Sequence, residues 1–201
     1  MSSDKKGTLN RRDFFRKGIK SATEASDRRS LELSRLWFRP PFAIDELSFL
    51  DQCSRCGDCL RVCLTGVIIP LPEKYGSRAS GTPVMDLLNK ACSLCEDWHC
   101  VQVCKPRALR IPAAADDGAD SNQDIPLRPM ATAAVDVAAC IPYLGPECGA
   151  CADSCPVEGA LKWAGDKPTI DVKYCVGCGL CRQACVTDPK SIRILPFRVD
   201  T

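Results

Sequence analysis

Sixteen cysteines in a chain of 201 residues constrain this protein more than any other feature of its sequence. They fall into four compact groups of four, numbered here one to four in chain order. The groups are Cys53, Cys56, Cys59 and Cys63; Cys92, Cys95, Cys100 and Cys104; Cys140, Cys148, Cys151 and Cys155; and Cys175, Cys178, Cys181 and Cys185. Groups one and four follow the spacing C-x2-C-x2-C-x3-C, which is typical of loops that bind a [4Fe–4S] cluster.

Disulfides and zinc sites are the alternative interpretations of so many cysteines. Cysteines two residues apart, repeated this often, are too crowded for bridges of relaxed geometry. Structural zinc sites favour two separated C-x2-C pairs, often with histidine. Here the triplets leave a third cysteine over, and the only histidine is His99. The pattern therefore favours four [4Fe–4S] clusters, with all sixteen cysteines as iron ligands.

Short apolar stretches flank the cysteine groups. They follow each group at 66–69, 108–111, 159–163 and 191–195, and they precede groups two to four at 82–87, 133–137 and 168–172. Gly165 and Asp166 separate two of them and predict a tight hairpin. The pattern predicts an α+β fold of two ferredoxin-like modules with two clusters each, short β-hairpins and short helices. A short helix is expected over 45–50, and a polar surface connection over 113–128.

The fourth cysteine of each group is expected to complete the site of another group, as in two-cluster ferredoxins. Sequential pairing joins one with two and three with four; nested pairing joins one with four and two with three. Groups one and four share a regular loop with Gly57 and Gly179, which favours nesting, whereas the short hairpin before Cys175 favours the sequential scheme. We expect nesting, with Cys104 completing the site of group three.

The first 39 residues are basic, with 11 Lys and Arg against 5 Asp and Glu. We expect residues 1–35 to form a basic, mobile arm, either a solvated tail or a docking segment for an acidic partner, and residues 36–201 to form the four-cluster body. Arg11 and Arg12 look like a twin-arginine export motif, but no apolar run follows them. This predicts a cytoplasmic protein without a membrane span, and the acidic cluster body argues against a nucleic-acid partner.

The sequence resembles the ferredoxin-type accessory proteins of periplasmic nitrate reductase systems, of the NapF and NapG types. The motifs that carry the resemblance are Arg39-Pro40-Pro41, Phe49-Leu50-x-x-Cys53-x-Arg55-Cys56 and Cys92-x-x-Cys95-Glu96-Asp97-x-x-Cys100. It covers most of the chain. The resemblance implies a cytoplasmic protein that serves a molybdenum-containing nitrate reductase, with a role in its maturation. Group two also resembles the iron–sulfur subunits of molybdopterin oxidoreductases, and that resemblance implies nested pairing. One departure is that, among the fourth cysteines, only Cys155 is followed directly by proline, so we expect shifted potentials at the other sites.

Together these features predict a non-catalytic electron-transfer protein that works with redox proteins such as a molybdenum oxidoreductase. Four complete sets of cysteines leave no iron open to substrate, which argues against an enzyme acting alone. A maturation partner of the oxidoreductase and a fixed electron-transfer subunit of a complex remain the alternatives. His99, Trp98 and Trp163 are interpreted as groups beside the clusters rather than ligands.

Overall fold

The computed structural model describes residues 25–26, 28–34, 36–112 and 129–196, and all sixteen cysteines lie within these ranges. The helices are α1 (Glu46–Gln52), α2 (Asp58–Arg61), α3 (His99–Gln102), α4 (Ile141–Leu144) and α5 (Leu180–Ala184), with a 3₁₀ turn at Glu73–Tyr75. The strands are β1 (Ile68–Pro70), β2 (Pro83–Met85), β3 (Ala131–Val135), β4 (Leu161–Ala164), β5 (Lys167–Ile170) and β6 (Ile192–Pro196). Short helices and short hairpins confirm the predicted mixture of helix and strand.

The second half of the chain (129–196) is closed by a pair of terminal strands. β3 pairs antiparallel with β6 over five positions, from Ala131 opposite Pro196 to Val135 opposite Ile192. Between them, β4 and β5 form the predicted hairpin, which turns at Gly165. Groups three and four therefore lie on the two sides of one hairpin.

The first half (36–112) has the same chain order with a weaker closure. β1 and β2 pair between groups one and two. The terminal segments meet only at an isolated bridge, Ala43 opposite Leu109, where Arg110 N donates to Phe42 O at 3.0 Å. Residues 108–111 are thus not the expected strand. The segment opposite them contains Pro40 and Pro41, which have no N–H to donate to a ladder.

The helix α1 leads into group one, as the sequence predicts. Asp45 caps its first turn by accepting a hydrogen bond from Ser48 N at 3.0 Å, and this hydrogen bond is the main cause that lowers the pKa of Asp45. Phe49 and Leu50 are buried on its inner face. The cap and this apolar face explain why so short a helix forms here.

The main apolar core runs through both halves and depends on the cysteines. It includes Phe49, Leu87, Leu109 and Ile192, all 2% exposed or less. Five of its buried members are cysteines: Cys59, Cys100, Cys151, Cys181 and Cys185. Whatever the thiols bind therefore lies beside the side chains that hold the fold together, and metal binding and folding should be coupled.

Arg39 joins the segment before group one to the rest of the first half. Its guanidinium donates to both Glu46 carboxylate oxygens, at 2.9 and 2.6 Å, and to Thr82 Oγ1 at 2.9 Å. It also lies 4.5 Å from the ring centre of Phe49. The segment 37–42 packs on the body through buried Trp37 and its neighbours.

Residues 28–34 are helical, and Leu33 packs against a second apolar cluster formed by Trp37, Leu50, Leu71, Ala79 and Val84. The boundary predicted at residue 35 stays a prediction. The twin-arginine segment and the connection 113–128 lie outside the described residues. Among the helices of the described ranges, none has the length and apolarity needed to cross a bilayer.

Candidate metal centres

Four cavities in the described chain are each lined by four cysteines. We name them sites A to D. Site A is lined by Cys53, Cys56, Cys59 and Cys104; site B by Cys63, Cys92, Cys95 and Cys100; site C by Cys140, Cys148, Cys151 and Cys185; and site D by Cys155, Cys175, Cys178 and Cys181. They hold about 390, 380, 330 and 290 Å³ of empty space, part of it open to solvent.

The structure contradicts the nested pairing and shows the sequential one. Cys104 lies with group one and Cys63 with group two, while Cys185 lies with group three and Cys155 with group four. The cause is the hairpin inside each half. It returns the chain at once, so the second group of a half can only lie beside the first. Groups one and four share their loop spacing but lie in different halves, so similar spacing does not indicate a shared site.

The loops around the sites rely on left-handed backbone. The second residue after the first cysteine has φ of +59° at Arg55, +50° at Leu94 and +72° at Gly177. At Arg55 and Leu94 this turn aims the residue's own N–H at the sulfur of Cys53 and Cys92, respectively, which favours the charged form of each thiol. Strained backbone is retained where function requires it, and here it supplies hydrogen bonds to sulfur.

Gly177 is the position in these loops that cannot carry a side chain. A Cβ there would lie 2.3 Å from the Ala131 carbonyl oxygen on β3, which is backbone and cannot swing aside. We expect Gly177→Ala to destabilise the protein by about 2–5 kcal/mol, the sum of overpacking and left-handed strain, and to lower the iron bound at site D.

Gly165→Ala is the matched control for this change. Gly165 has a similar φ of +66°, but nothing lies within 4 Å of a Cβ added there. It should lose only about 1–2 kcal/mol. Denaturant unfolding of both anaerobic proteins measures the difference, and equal losses would contradict the close approach to Ala131.

Burial and mutual repulsion hold most of the inner thiols in the neutral form. Burial, followed by the neighbouring cysteines of the same site, raises the pKa of Cys59, Cys100 and Cys181 to about 12. Four thiolates in one such cavity need a compensating positive charge. A metal core supplies that charge and deprotonates its thiol ligands.

Two of the fourth cysteines show the opposite shift. At Cys63 and Cys185 burial again opposes ionisation, but it is outweighed by hydrogen bonds. Hydroxyls of Ser191 and Thr187, together with their backbone N–H groups, lower the pKa of Cys185 to about 7. At Cys63 the groups are the backbone N–H of Ile68, Val67 and Thr65 and the Thr65 hydroxyl.

The surroundings of the sites fit iron–sulfur clusters. All sixteen cysteines are free of disulfides. Two of the buried side-chain nitrogens without a partner belong to residues that line these cavities: His99 Nδ1 at site B and Trp163 Nε1 at site C. A donor buried beside four thiols gains a partner when a cluster's sulfides are present. Trp98 also lines site B. Trp98 and Trp163 thus each lie beside a site, as expected from the sequence.

The two halves meet where site B faces site D. Cys92 N donates to Cys178 O at 2.8 Å, and Ala91 N donates to Gln183 Oε1 at 3.1 Å. Arg182 crosses the same seam, with Nε donating to Leu88 O at 3.0 Å and Nη1 donating to Ile192 O at 2.6 Å. Arg182 directly follows Cys181 in group four, and the cysteine spacing gives no sign that it links the halves.

Contacts between ligands give the sites an order. Sites A and B adjoin, since Cys59 and Cys100 lie in the same buried core, and site B meets site D where Cys92 N donates to Cys178 O. Helix α5 carries Cys181 of site D and ends at Cys185 of site C. The sites therefore form one line, A–B–D–C.

Curated relatives of this protein align with most of its chain. The ferredoxin-type protein NapG of Escherichia coli is 28% identical over 98% of this chain and 90% of its own length. The methylamine utilization ferredoxin-type protein MauM of Methylobacillus flagellatus is 33% identical over 79% of this chain and 68% of its own. The ferredoxin-type protein NapF of Escherichia coli is 30% identical over 73% of this chain and 79% of its own. No protein-family model and no solved structure matches the chain.

Proposed function

The chain belongs to the ferredoxin-type proteins represented by NapG, NapF and MauM, and on that premise we propose that it carries four [4Fe–4S] clusters and passes single electrons along them. An iron–sulfur electron-transfer role follows from the family. The number and type of clusters are the proposal, with the sixteen cysteines as ligands. Each half is then a ferredoxin-like module with two clusters.

The observation that carries this proposal is the repetition of one four-cysteine cavity at four places. Four thiolates per site match the ligand number of a [4Fe–4S] cluster, which takes up and releases one electron. The complete ligand sets leave no place for a substrate on iron. The protein's own residues hold the sites in line, shield the inner ones from water and supply hydrogen bonds to sulfur.

A line of sites with two ends suits transfer between a donor protein and an acceptor protein. At one end, site A includes the exposed Cys56, with Arg55 and Arg61 in the same loop. At the other end, site C lies beside Val186, which is 63% exposed. Electrons can enter at one end and leave at the other, passing from half to half where Cys92 meets Cys178.

For the physiological system we propose a molybdenum-containing oxidoreductase of the nitrate reductase type as the redox partner. The resemblance at 39–56 and 92–100 and the NapG and NapF relatives support it. The MauM relatives are named for methylamine utilization, so a system of that kind is the competing partner. Binding of the purified chain to a molybdenum-containing nitrate reductase, compared with its binding to a redox protein of methylamine utilization, decides between them. Stable co-purification in fixed ratio would indicate a subunit, and binding only to the apoenzyme a maturation factor.

We also propose that the protein acts in the cytoplasm. Arg11 and Arg12 are followed by no apolar run of the kind that export signals carry. Cell fractionation tests this: a periplasmic chain that has lost its first residues would overturn it.

The central test is metal analysis of the protein purified without oxygen. We expect about sixteen iron and about sixteen acid-labile sulfide per chain, from four clusters of four irons each. A content of roughly two to four zinc ions per chain with little iron would refute the clusters, because tetrahedral cysteine sites would hold about that much zinc.

A further inference from the structure

The two sites of the second half differ sharply in the side-chain hydrogen-bond donors that line them. Site C is lined by Thr187, Ser191 and Trp163, each of which carries a side-chain donor. The residues that line site D, apart from its thiols, are alanine, valine and glycine. Both sites lie in the same half of the chain, so this is a difference between neighbouring sites.

Two hydroxyl donors at site C lie beside the sulfur of Cys185. Thr187 Oγ1 and Ser191 Oγ each lie 3.2 Å from Cys185 Sγ. Thr187 Oγ1 already accepts a hydrogen bond from Ser191 N at 2.8 Å, so its own hydrogen is left for the sulfur. Ser191 is 2% exposed, and its one hydroxyl hydrogen can serve either Cys185 or Cys140, a second ligand of site C. An iron-bound sulfur has no proton, so the hydroxyls are the donors.

The corresponding cysteine of site D has the opposite surroundings. Cys155 Sγ lies 3.4 Å from the Val157 carbonyl oxygen. The next residue, Pro156, has no N–H to offer. As an iron ligand Cys155 has no proton to give, so a carbonyl oxygen faces its negative sulfur. Site C thus offers side-chain donors to its ligands, whereas site D relies on backbone N–H groups such as those of Leu180 and Arg182.

We propose that Thr187, Ser191 and Trp163 raise the reduction potential of site C above that of site D, so that an electron in the second half comes to rest at site C. Hydrogen bonds to the sulfurs are among the factors that set cluster potentials, because they stabilise the reduced form. One electron leaves site D, which is oxidised, and enters site C, which is reduced, with no bond made or broken. Site C is then the exit of the line A–B–D–C. This inference rests on the proposed four-cluster function.

The test is a potentiometric titration of the complete anaerobic protein, followed by electron paramagnetic resonance. The variants Thr187→Val and Ser191→Ala each keep the shape of the side chain but remove its hydroxyl. We expect both to lower the same one of four reduction steps. The double variant should lower that step's equilibrium constant about tenfold, which is about 59 mV for one electron.

Further variants assign the step to a site. Trp163→Phe removes an N–H that lines only site C and should lower the same step. Cys155→Ala removes a ligand of site D, so the step that it abolishes marks site D, and in the unchanged protein this step should lie below the first. Ser154→Ala is the matched control, since its hydroxyl donates to the Cys151 carbonyl at 2.7 Å rather than to sulfur. It should move no step.

The inference is overturned if iron stays near sixteen and no step moves in Thr187→Val or Ser191→Ala, if the step moves upward, or if the site D step lies above the site C step. Iron content far below sixteen in the unchanged protein would instead refute the proposed function. The two failures are therefore distinguishable by metal analysis of the same samples.

Discussion

Replacing Cys53 and Cys104 together should remove no more iron than replacing either one alone. Both side chains line site A, so Cys53→Ala, Cys104→Ala and the double variant each disable the same site. The expected loss is about four of sixteen irons in all three proteins. Iron and sulfide analysis after anaerobic purification measures it, and the absorbance of the clusters gives a second reading.

The matched double variant is Cys104→Ala with Cys140→Ala. Cys140 lines site C, in the other half of the chain. This pair should lose about eight irons, twice the loss of either single variant. The nested arrangement predicts the reverse, because there Cys104 and Cys140 share a site and Cys53 and Cys104 do not. Eight irons lost in Cys53→Ala with Cys104→Ala would therefore refute the sequential sites described here.

Removal of the Arg39 guanidinium should destabilise the protein strongly. The side chains of Arg39 and Glu46 are each only 12% exposed, and the ion pair is joined by two hydrogen bonds. Arg39→Met leaves the largely buried Glu46 carboxylate unpaired, and it removes donors from Thr82 Oγ1 and Pro83 O. Breaking a buried pair in this way costs about 3–5 kcal/mol. Denaturant unfolding under anaerobic conditions measures the loss.

Two companion variants show whether the loss comes from the unpaired charge. Arg39→Met with Glu46→Leu removes both charges and should recover much of the stability, since apolar replacement of a whole buried pair is often neutral. Lys162→Met breaks the exposed pair of Lys162 with Asp171, 2.9 Å apart, and should cost far less, since water-exposed ion pairs contribute little to stability. A loss of that small size in Arg39→Met would contradict the role assigned to Arg39.

Much of the architecture could be predicted from local signals. The apolar stretches around groups three and four, with Gly165 between two of them, predict β3 to β6 closely, and the residues of 45–50 predict α1. These elements form from short-range causes: alternating apolar residues, a turn and a helix cap. The one predicted strand that is absent, at 108–111, failed because of its partner. Nothing in its own residues shows that prolines lie opposite.

The pairing of the cysteine groups could not be predicted by comparing their loops. Loop spacing describes how one group surrounds a site, and it repeats once in each half at groups one and four. Which groups meet is decided by chain geometry, here by the hairpin between Cys155 and Cys175. The short hairpin is visible in the sequence and favours the sequential pairing, but the similar loops of groups one and four favour the nested pairing.

The donors at site C could not be found from the spacing of the cysteines. Thr187 lies two residues after Cys185, as Thr65 lies two residues after Cys63, so a hydroxyl near each of these sulfurs is a local pattern. Ser191 comes to Cys185 only because the chain turns before β6. The roles of Arg182 and Gln183 depend in the same way on how the halves meet, which no local signal describes.

Because each site is completed within its own half, each half can be duplicated as a unit with its ligand sets intact. A duplicated half would bring two complete ligand sets with it, and a longer or shorter connection at 113–128 would separate no cysteine from its partners. What must match between halves is the apolar core that runs through both and the seam where Arg182 and Gln183 meet the backbone at Leu88 and Ala91. A module added to such a chain would thus need matching apolar packing and a few hydrogen bonds, but no cysteine side chain from another module.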